Sequence, residues 1–187
     1  MTNVFMMPIT GPITVPITMP LLAVSTSLGC ARSPQPAKDG RSAMVSFCNP
    51  PTLPSSPAYS HAALLDGGRV LYVSGQQALD AHGQLVGRDD FARQAAQVFA
   101  NVTQALAAAG ADATDVLGIN THYVNRADLP AYRDARAAFF AGRTAPAPTS
   151  TTVQVSGLVA EGALLEVGVT ALVPALPAVA GSQEPIS

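Results

Sequence analysis

Between Pro148 and Val173 apolar and polar residues alternate with the two-residue period of a β-strand. Leu165, Val167, Val169, Ala171 and Val173 share one apolar face, and Leu164, Glu166, Gly168 and Thr170 fall on the other. Upstream, Thr151, Val153 and Val155 oppose Ser150, Thr152, Gln154 and Ser156. The pattern predicts two neighbouring strands that close the fold as a hairpin, each with one side for a core. His61–Leu65 and Arg69–Gln76, joined by Asp66-Gly67-Gly68, predict an earlier, glycine-turned hairpin. Residues 78–88 read as loop, with Asp80 and Gly83 as turn formers, and Val116–Val124 as a further strand.

Two stretches keep helical spacing instead. Phe91, Ala95, Val98, Phe99, Val102 and Leu106 form one stripe, opened by a capping Asp89 or Asp90 and closed by Gly110. A second helix opens at a capping Asp128 with Pro130 in its first turn, turns Tyr132, Ala135 and Phe139 inward, and stops by Gly142. The order is β-β-α-β-α-β-β, an α+β arrangement in which two helices cover one face of a sheet. Parity puts Glu166, Gln154 and Thr152 on the uncovered face, with Asn120 and His122 beside them. That face is too apolar and too poor in charge for water, so several copies are expected to bury it together and form pockets where subunits meet.

A length of 187 residues fits one domain with appendages. Residues 1–43 read as a low-complexity, disordered extension, because Pro8, Pro12, Pro16 and Pro20 interrupt an Ile-Thr repeat. The domain then spans 44–174, and 175–187 is a loose tail. Leu21–Cys30 offers a lipoprotein-type signal with Cys30 acylated, but no Lys or Arg precedes Arg32. A true start at Met44 is the other reading of that extension. Charged residues make up 12%, about half the usual share, which suits a surface covered by partner subunits. Net charge is -2 and Lys38 is the single lysine, a balance that argues against nucleic acid. Cys30 and Cys48 suggest neither a disulfide framework nor a metal site. No apolar run reaches membrane-spanning length, and the expected setting is cytoplasmic, with a lipid anchor through Cys30 as the alternative.

An ordered set of segments resembles the RidA (YjgF-like) family. They are Pro-Ala-Tyr-Ser-His-Ala (57–62), Leu-Tyr-Val-Ser-Gly-Gln (71–76), the helix at 94–110 ending Ala-Ala-Ala-Gly, and Val-Asn-Arg-Ala-Asp-Leu (124–129). The Phe139-Phe140 pair and Leu165-Glu166-Val167 complete it. The resemblance implies a chorismate-mutase-like fold, a homotrimer with clefts between subunits, and hydrolysis of 2-imino and enamine acids to keto acids and ammonia without metal or cofactor. It places Glu166 on the glutamate that positions the attacking water, and Tyr59, Ser74 and Gly75 on the pocket wall. Active members clamp the substrate carboxylate with an arginine in Pro-x-Arg-[Ser/Thr]. Here Pro148-Thr149-Ser150-Thr151 occupies the motif, so Ser150 stands at the arginine position with Thr152 beyond it. A serine offers one neutral donor in place of an ionic fork.

Other arrangements are weaker. Ser150, His122 and Glu166 lack the Gly-x-Ser-x-Gly elbow of a nucleophilic triad. His61 reads as a strand residue and His82 as a loop residue, not as metal ligands. Arg143, ahead of Arg133, is the candidate for a replacement anion clamp. Three functions therefore stand: a deaminase-type hydrolase of altered substrate range, a non-catalytic small-molecule binding trimer, and, weakest, a ribonuclease.

Overall fold

The computed structural model describes residues 30–34 and 44–173. In chain order these form β1 (Cys30–Pro34), β2 (Met44–Cys48), β3 (Ala62–Asp66), β4 (Arg69–Gln76), α1 (Phe91–Ala108), β5 (Val116–Tyr123), α2 (Leu129–Phe139), β6 (Thr149–Gln154) and β7 (Leu165–Val173). Strands β4, β7, β5 and β6 build the main sheet in that spatial order, and β1, β2 and β3 a smaller one. Both helices lie on one face of the mixed main sheet, as expected.

Neither expected hairpin forms as drawn. β6 and β7 are not neighbours, because β5 lies between them. The crossover through α2 returns the chain parallel to β5, and an adjacent parallel pair needs such a long connection. The segment after β6 then carries the chain past β5, held by Val155 N–H donating to Tyr123 O (2.9 Å) and Val124 N–H to Leu164 O (3.1 Å). β7 lands antiparallel to both β5 and β4. The first glycine turn exists, with Gly67 and Gly68 both at positive φ, but its arms part. β3 pairs with β2, and β4 pairs with the longer, more apolar β7.

β1 also differs from expectation, since it lies within the stretch read as an extension. Its backbone register sets Cys30 opposite Cys48, and Cys48 is disulfide-bonded. The expectation that Cys30 and Cys48 make no disulfide framework is therefore corrected to a single bond at Cys48; two strands in register supply the proximity that spacing along the sequence does not reveal. The rest of the extension and the tail fall outside the described residues.

The core follows the predicted stripes. Phe91, Ala95, Val98, Phe99, Val102 and Leu106 of α1 pack on Leu165, Val167, Val169, Ala171 and Val173 of β7. Each fully buried large apolar side chain contributes roughly 1.5–3 kcal/mol, so this seam anchors the sheet. Asp90 caps α1 by accepting from Arg93 N–H at 3.0 Å. Asp128 does not cap α2: a short 3-10 turn at Arg126–Asp128 already gives it helical angles, and its side chain makes no capping bond. Tyr132 ties α2 to the sheet instead, its hydroxyl 2.6 Å from Thr121 Oγ1. On the opposite face the smaller sheet covers one end, packing Val45 and Phe47 on Leu117 and Leu172. The remainder of that face stays open, and Tyr72 on it is 78% exposed.

Candidate functional site

The open face carries a carboxylate held in place. His122 on β5 sits opposite Glu166 on β7, and Asn120 opposite Gly168. His122 Nδ1 lies 3.6 Å from Glu166 Oε1, an ion-pair distance and too long for a hydrogen bond. The other oxygen, Oε2, accepts from Gln77 Nε2 at 2.7 Å. Gln77 is itself fixed, because its Oε1 accepts from Ala160 N–H at 2.9 Å. Register between β4 and β7 slips between Val73 and Gln76, and this bulge presents Gly75 to Glu166. A Cβ at Gly75 would meet the Glu166 carboxyl carbon at 2.5 Å. Glycine there is a condition for the carboxylate's position. Ser74, in the same bulge, is exposed, and Gln76 Nε2 donates to its carbonyl at 3.2 Å.

A second site lies on the helix side, at the sheet edge. Ser150 pairs in register with Ile119, and Thr152 with Thr121. Ile119 and Thr121 are buried, so Ser150 and Thr152 point the same way, toward α2. There they line a cavity of about 860 Å³ with Tyr59, Arg133, Arg136 and Arg143. Tyr59 reaches it because Ser60 is tied to the segment before β6: Ser60 Oγ donates to Ala147 O at 2.7 Å and its N–H to Pro148 O at 3.2 Å.

Arg143 is not the solvated charge that a loop arginine usually is. Its Nε donates to Pro146 O (2.8 Å) and its Nη1 to Thr114 O (2.9 Å) and Ala113 O (3.2 Å). Phe47 lies under the guanidinium at 5.4 Å. Burial pulls its pKa below the ordinary arginine value, and Asp115 offsets part of that; an arginine starting so high stays charged at neutral pH.

The residues singled out in the sequence thus separate. Glu166, Ser74 and Gly75 belong to the open face, with Asn120 and His122. Tyr59, Ser150 and Thr152 belong to the helix-side cavity. Placing Thr152 on the Glu166 face, with Gln154 beside it, is corrected, because parity within a strand says nothing about its phase relative to a strand that is not its neighbour. Val153, expected to face a core, is 42% exposed on the edge strand. His61, expected on a strand, instead precedes β3, with its Nε2 2.8 Å from Pro54 O, while His82 lies in a turn as expected and its N–H donates to Asp80 Oδ1 at 2.9 Å. Sequence reasoning missed Gln77, the partner of Glu166; its one signal is the amide doublet ending the Ser-Gly-Gln strand.

The family described as endoribonuclease L-PSP matches residues 52–173. The chain belongs to that family. Among solved structures it is similar to YyfB of Yersinia pestis, a protein of unknown function of the conserved Rid protein family. The two are 38% identical, the match covers 69% of this chain and 98% of that one, and the TM-score is 0.61. It is also similar to Escherichia coli TdcF, solved with bound serine, at 26% identity over 57% of this chain and 83% of that one, with a TM-score of 0.51. Among curated relatives, Protein DfrA of Myxococcus xanthus is 33% identical over 100 residues, 54% of this chain and 74% of its own. Two helices on a mixed sheet are the architecture this Rid/YjgF family member shares with its neighbours.

Proposed function

We propose that this Rid-family chain is an imine or enamine hydrolase of the deaminase type, with a pocket completed between copies of a homotrimer. The observation that carries the reading is Glu166, half-buried, held by Gln77 and given room by Gly75. In this reading Glu166 accepts a hydrogen bond from a water and directs its lone pair to the C=N carbon. The C–O bond forms as the C=N π pair moves to nitrogen, which takes the proton the water gives up. The carbinolamine then expels ammonia and keeps a carbonyl. Positioning of the water is most of what such a site supplies.

Assembly enters because Glu166 and Ser150 face opposite sides of one sheet. A cleft uniting them takes Glu166 from one copy and Ser150, Thr152 and Tyr59 from its neighbour. Ser150 replaces the carboxylate-clamping arginine expected from the resemblance, which shifts the substrate range away from small 2-imino acids gripped by a strand-borne fork. Ser150→Arg is expected to raise hydrolysis of 2-iminopropanoate, provided the cleft admits the longer side chain. Glu166→Gln is expected to lower turnover by about a hundredfold.

Mixing tests the shared pocket. Glu166→Gln and Ser150→Glu chains, each strongly impaired alone, should recover about a quarter of the parent sites when co-assembled one to one, since each site then draws its halves independently from two copies. No recovery in mixed trimers places both halves in one chain and sinks the proposal. A monodisperse monomer at micromolar concentration does the same.

The serine bound to TdcF favours a second reading, a binding module without turnover; ligand binding with no product from any imine selects it. The family description also names an endoribonuclease, but a net charge of -2 and one lysine supply no basic stripe for RNA. Among the described residues no helix is long and apolar enough to cross a membrane. A cytoplasmic setting belongs to the proposal. The disulfide at Cys48 speaks against it, since such bonds persist mainly in oxidising compartments, and thiol titration of freshly extracted protein decides.

A further inference from the structure

The cavity beside Ser150 is unusual for a chain so poor in charge. Of ten Lys and Arg residues in the sequence, three line it, and no Asp or Glu does. Two of these arginines have spare donors. Arg143 Nη2 and Arg136 Nε are buried and make no hydrogen bond. Their other groups are held: Arg136 Nη2 donates to Ala58 O at 2.7 Å, its guanidinium lies 5.6 Å from the Phe140 ring centre, and Arg143 spends Nε and Nη1 on carbonyls. A carbonyl satisfies an N–H but brings no counter-charge, and Asp115, the carboxylate that acts on Arg143, lies outside the cavity lining. Guanidiniums fixed in this way lose little freedom when an oxyanion arrives. The remaining wall includes Tyr59, Tyr132 and Phe140 with the Ser150 and Thr152 hydroxyls. A volume of about 860 Å³ is ample for a small molecule, since such pockets span roughly 300–1,000 Å³.

We infer that Arg143 and Arg136, with Arg133 at the mouth, form an anion site for a small organic acid with an aromatic or branched body. This deepens the proposed function by naming the ligand class, and rests on that reading for the identity of the pocket. The positive charge absent from position 150 is then supplied from α2 and the loop after it. The acid head sits against the arginines, and the body lies along the aromatic wall. The shared chemistry of carboxylate and phosphate is a planar or tetrahedral oxyanion that accepts a fork of N–H donors; the apolar wall favours the carboxylate of an organic acid.

Calorimetry on the full chain, with benzoate, neutral benzamide and inorganic phosphate as probes, tests this. Benzoate is expected to bind at least tenfold more tightly than benzamide, and to weaken as salt is raised. Arg143→Met should weaken benzoate at least tenfold, the loss of one hydrogen bond to a charged group. Arg143 also secures the backbone at residues 113, 114 and 146, so two further variants guard against misfolding. Ser150→Glu sets a like charge against the ligand and should abolish benzoate binding with the melting temperature unchanged. Arg133→Ala, at an exposed position, should weaken it about threefold. Benzamide binding as well as benzoate, or an unchanged Kd in both guard variants, overturns the inference. Phosphate binding without benzoate overturns the organic-acid assignment. Glu166→Gln should bind benzoate like the parent: if no imine is turned over yet the benzoate results hold, the hydrolase reading alone has failed.

Discussion

The two faces of the main sheet handle polar groups in opposite ways. On the open face the oxygens of Glu166 are engaged, by Gln77 at 2.7 Å and His122 at 3.6 Å, and Gln77 is engaged at both ends. On the helix face, Arg143 and Arg136 keep buried N–H groups without partners beside a cavity. A carboxylate held through one oxygen is fixed and keeps lone pairs with which to direct a small molecule such as water. A partly satisfied cation is fixed at one end and receptive at the other. In the proposed function the sheet thus separates a directing surface from a receiving one, and their union depends on assembly.

Variants can break that division, and the largest effect is expected from Gln77→Leu. It removes the bond to Glu166 and strands the Ala160 N–H, at a cost of about 2–3 kcal/mol in urea unfolding. Hydrolysis should fall by more than tenfold while benzoate affinity stays put. A matched fall in both would show that the two faces are not separate. Gly75→Ala is next. Its Cβ collides with the end of a flexible side chain and not with backbone, so the fold should persist while Glu166 is displaced. Turnover is expected to drop about tenfold with a melting temperature within a few degrees of the parent; unfolding of the variant would instead make Gly75 a structural residue.

Smaller effects sharpen the cavity side. Tyr132→Phe deletes the hydroxyl bonded to Thr121, which is completely buried, and should cost about 1–2 kcal/mol by denaturant titration. An unchanged midpoint would mean that water replaces the hydroxyl. Thr152→Ala, on an exposed edge strand, should change stability by less than about 0.5 kcal/mol and alter only affinity for the acid. A larger loss of stability would show that Thr152 is packed more firmly than its exposure indicates.

Much of this was legible in the sequence, for local reasons. The stripe from Phe91 to Leu106 and the alternation from Leu165 to Val173 are periodic, and periodicity is a property of a segment. Strand parity marks Glu166 as a lone carboxylate on a polar face, and the family resemblance adds Gly75 and Ser150 as candidates, but neither gives their relation in space. What failed was relational. Nothing in the order of residues 148–173 says that β5 will lie between β6 and β7, so the two polar faces were merged into one. The parted arms at Gly67-Gly68 failed likewise, since β4 pairs with a strand 104 residues away, Val173 against Arg69. Gln77 escaped because a single amide carries no pattern.

The placement of β7 also has a consequence for synthesis. It is an interior strand of the main sheet, flanked by β4 and β5, and it provides the floor on which α1 packs. Among the described elements it is also the last to be made. Until Leu165–Val173 emerges, β4 has no partner in this sheet, β5 has only β6, and the α1 stripe has no floor. Because chains emerge from the N-terminal end and distant pairings form slowly, the domain passes through a stage with α1 and α2 made and little of its core. Commitment to the fold comes with that strand, and Glu166, the carboxylate proposed to direct the water, arrives in the same event.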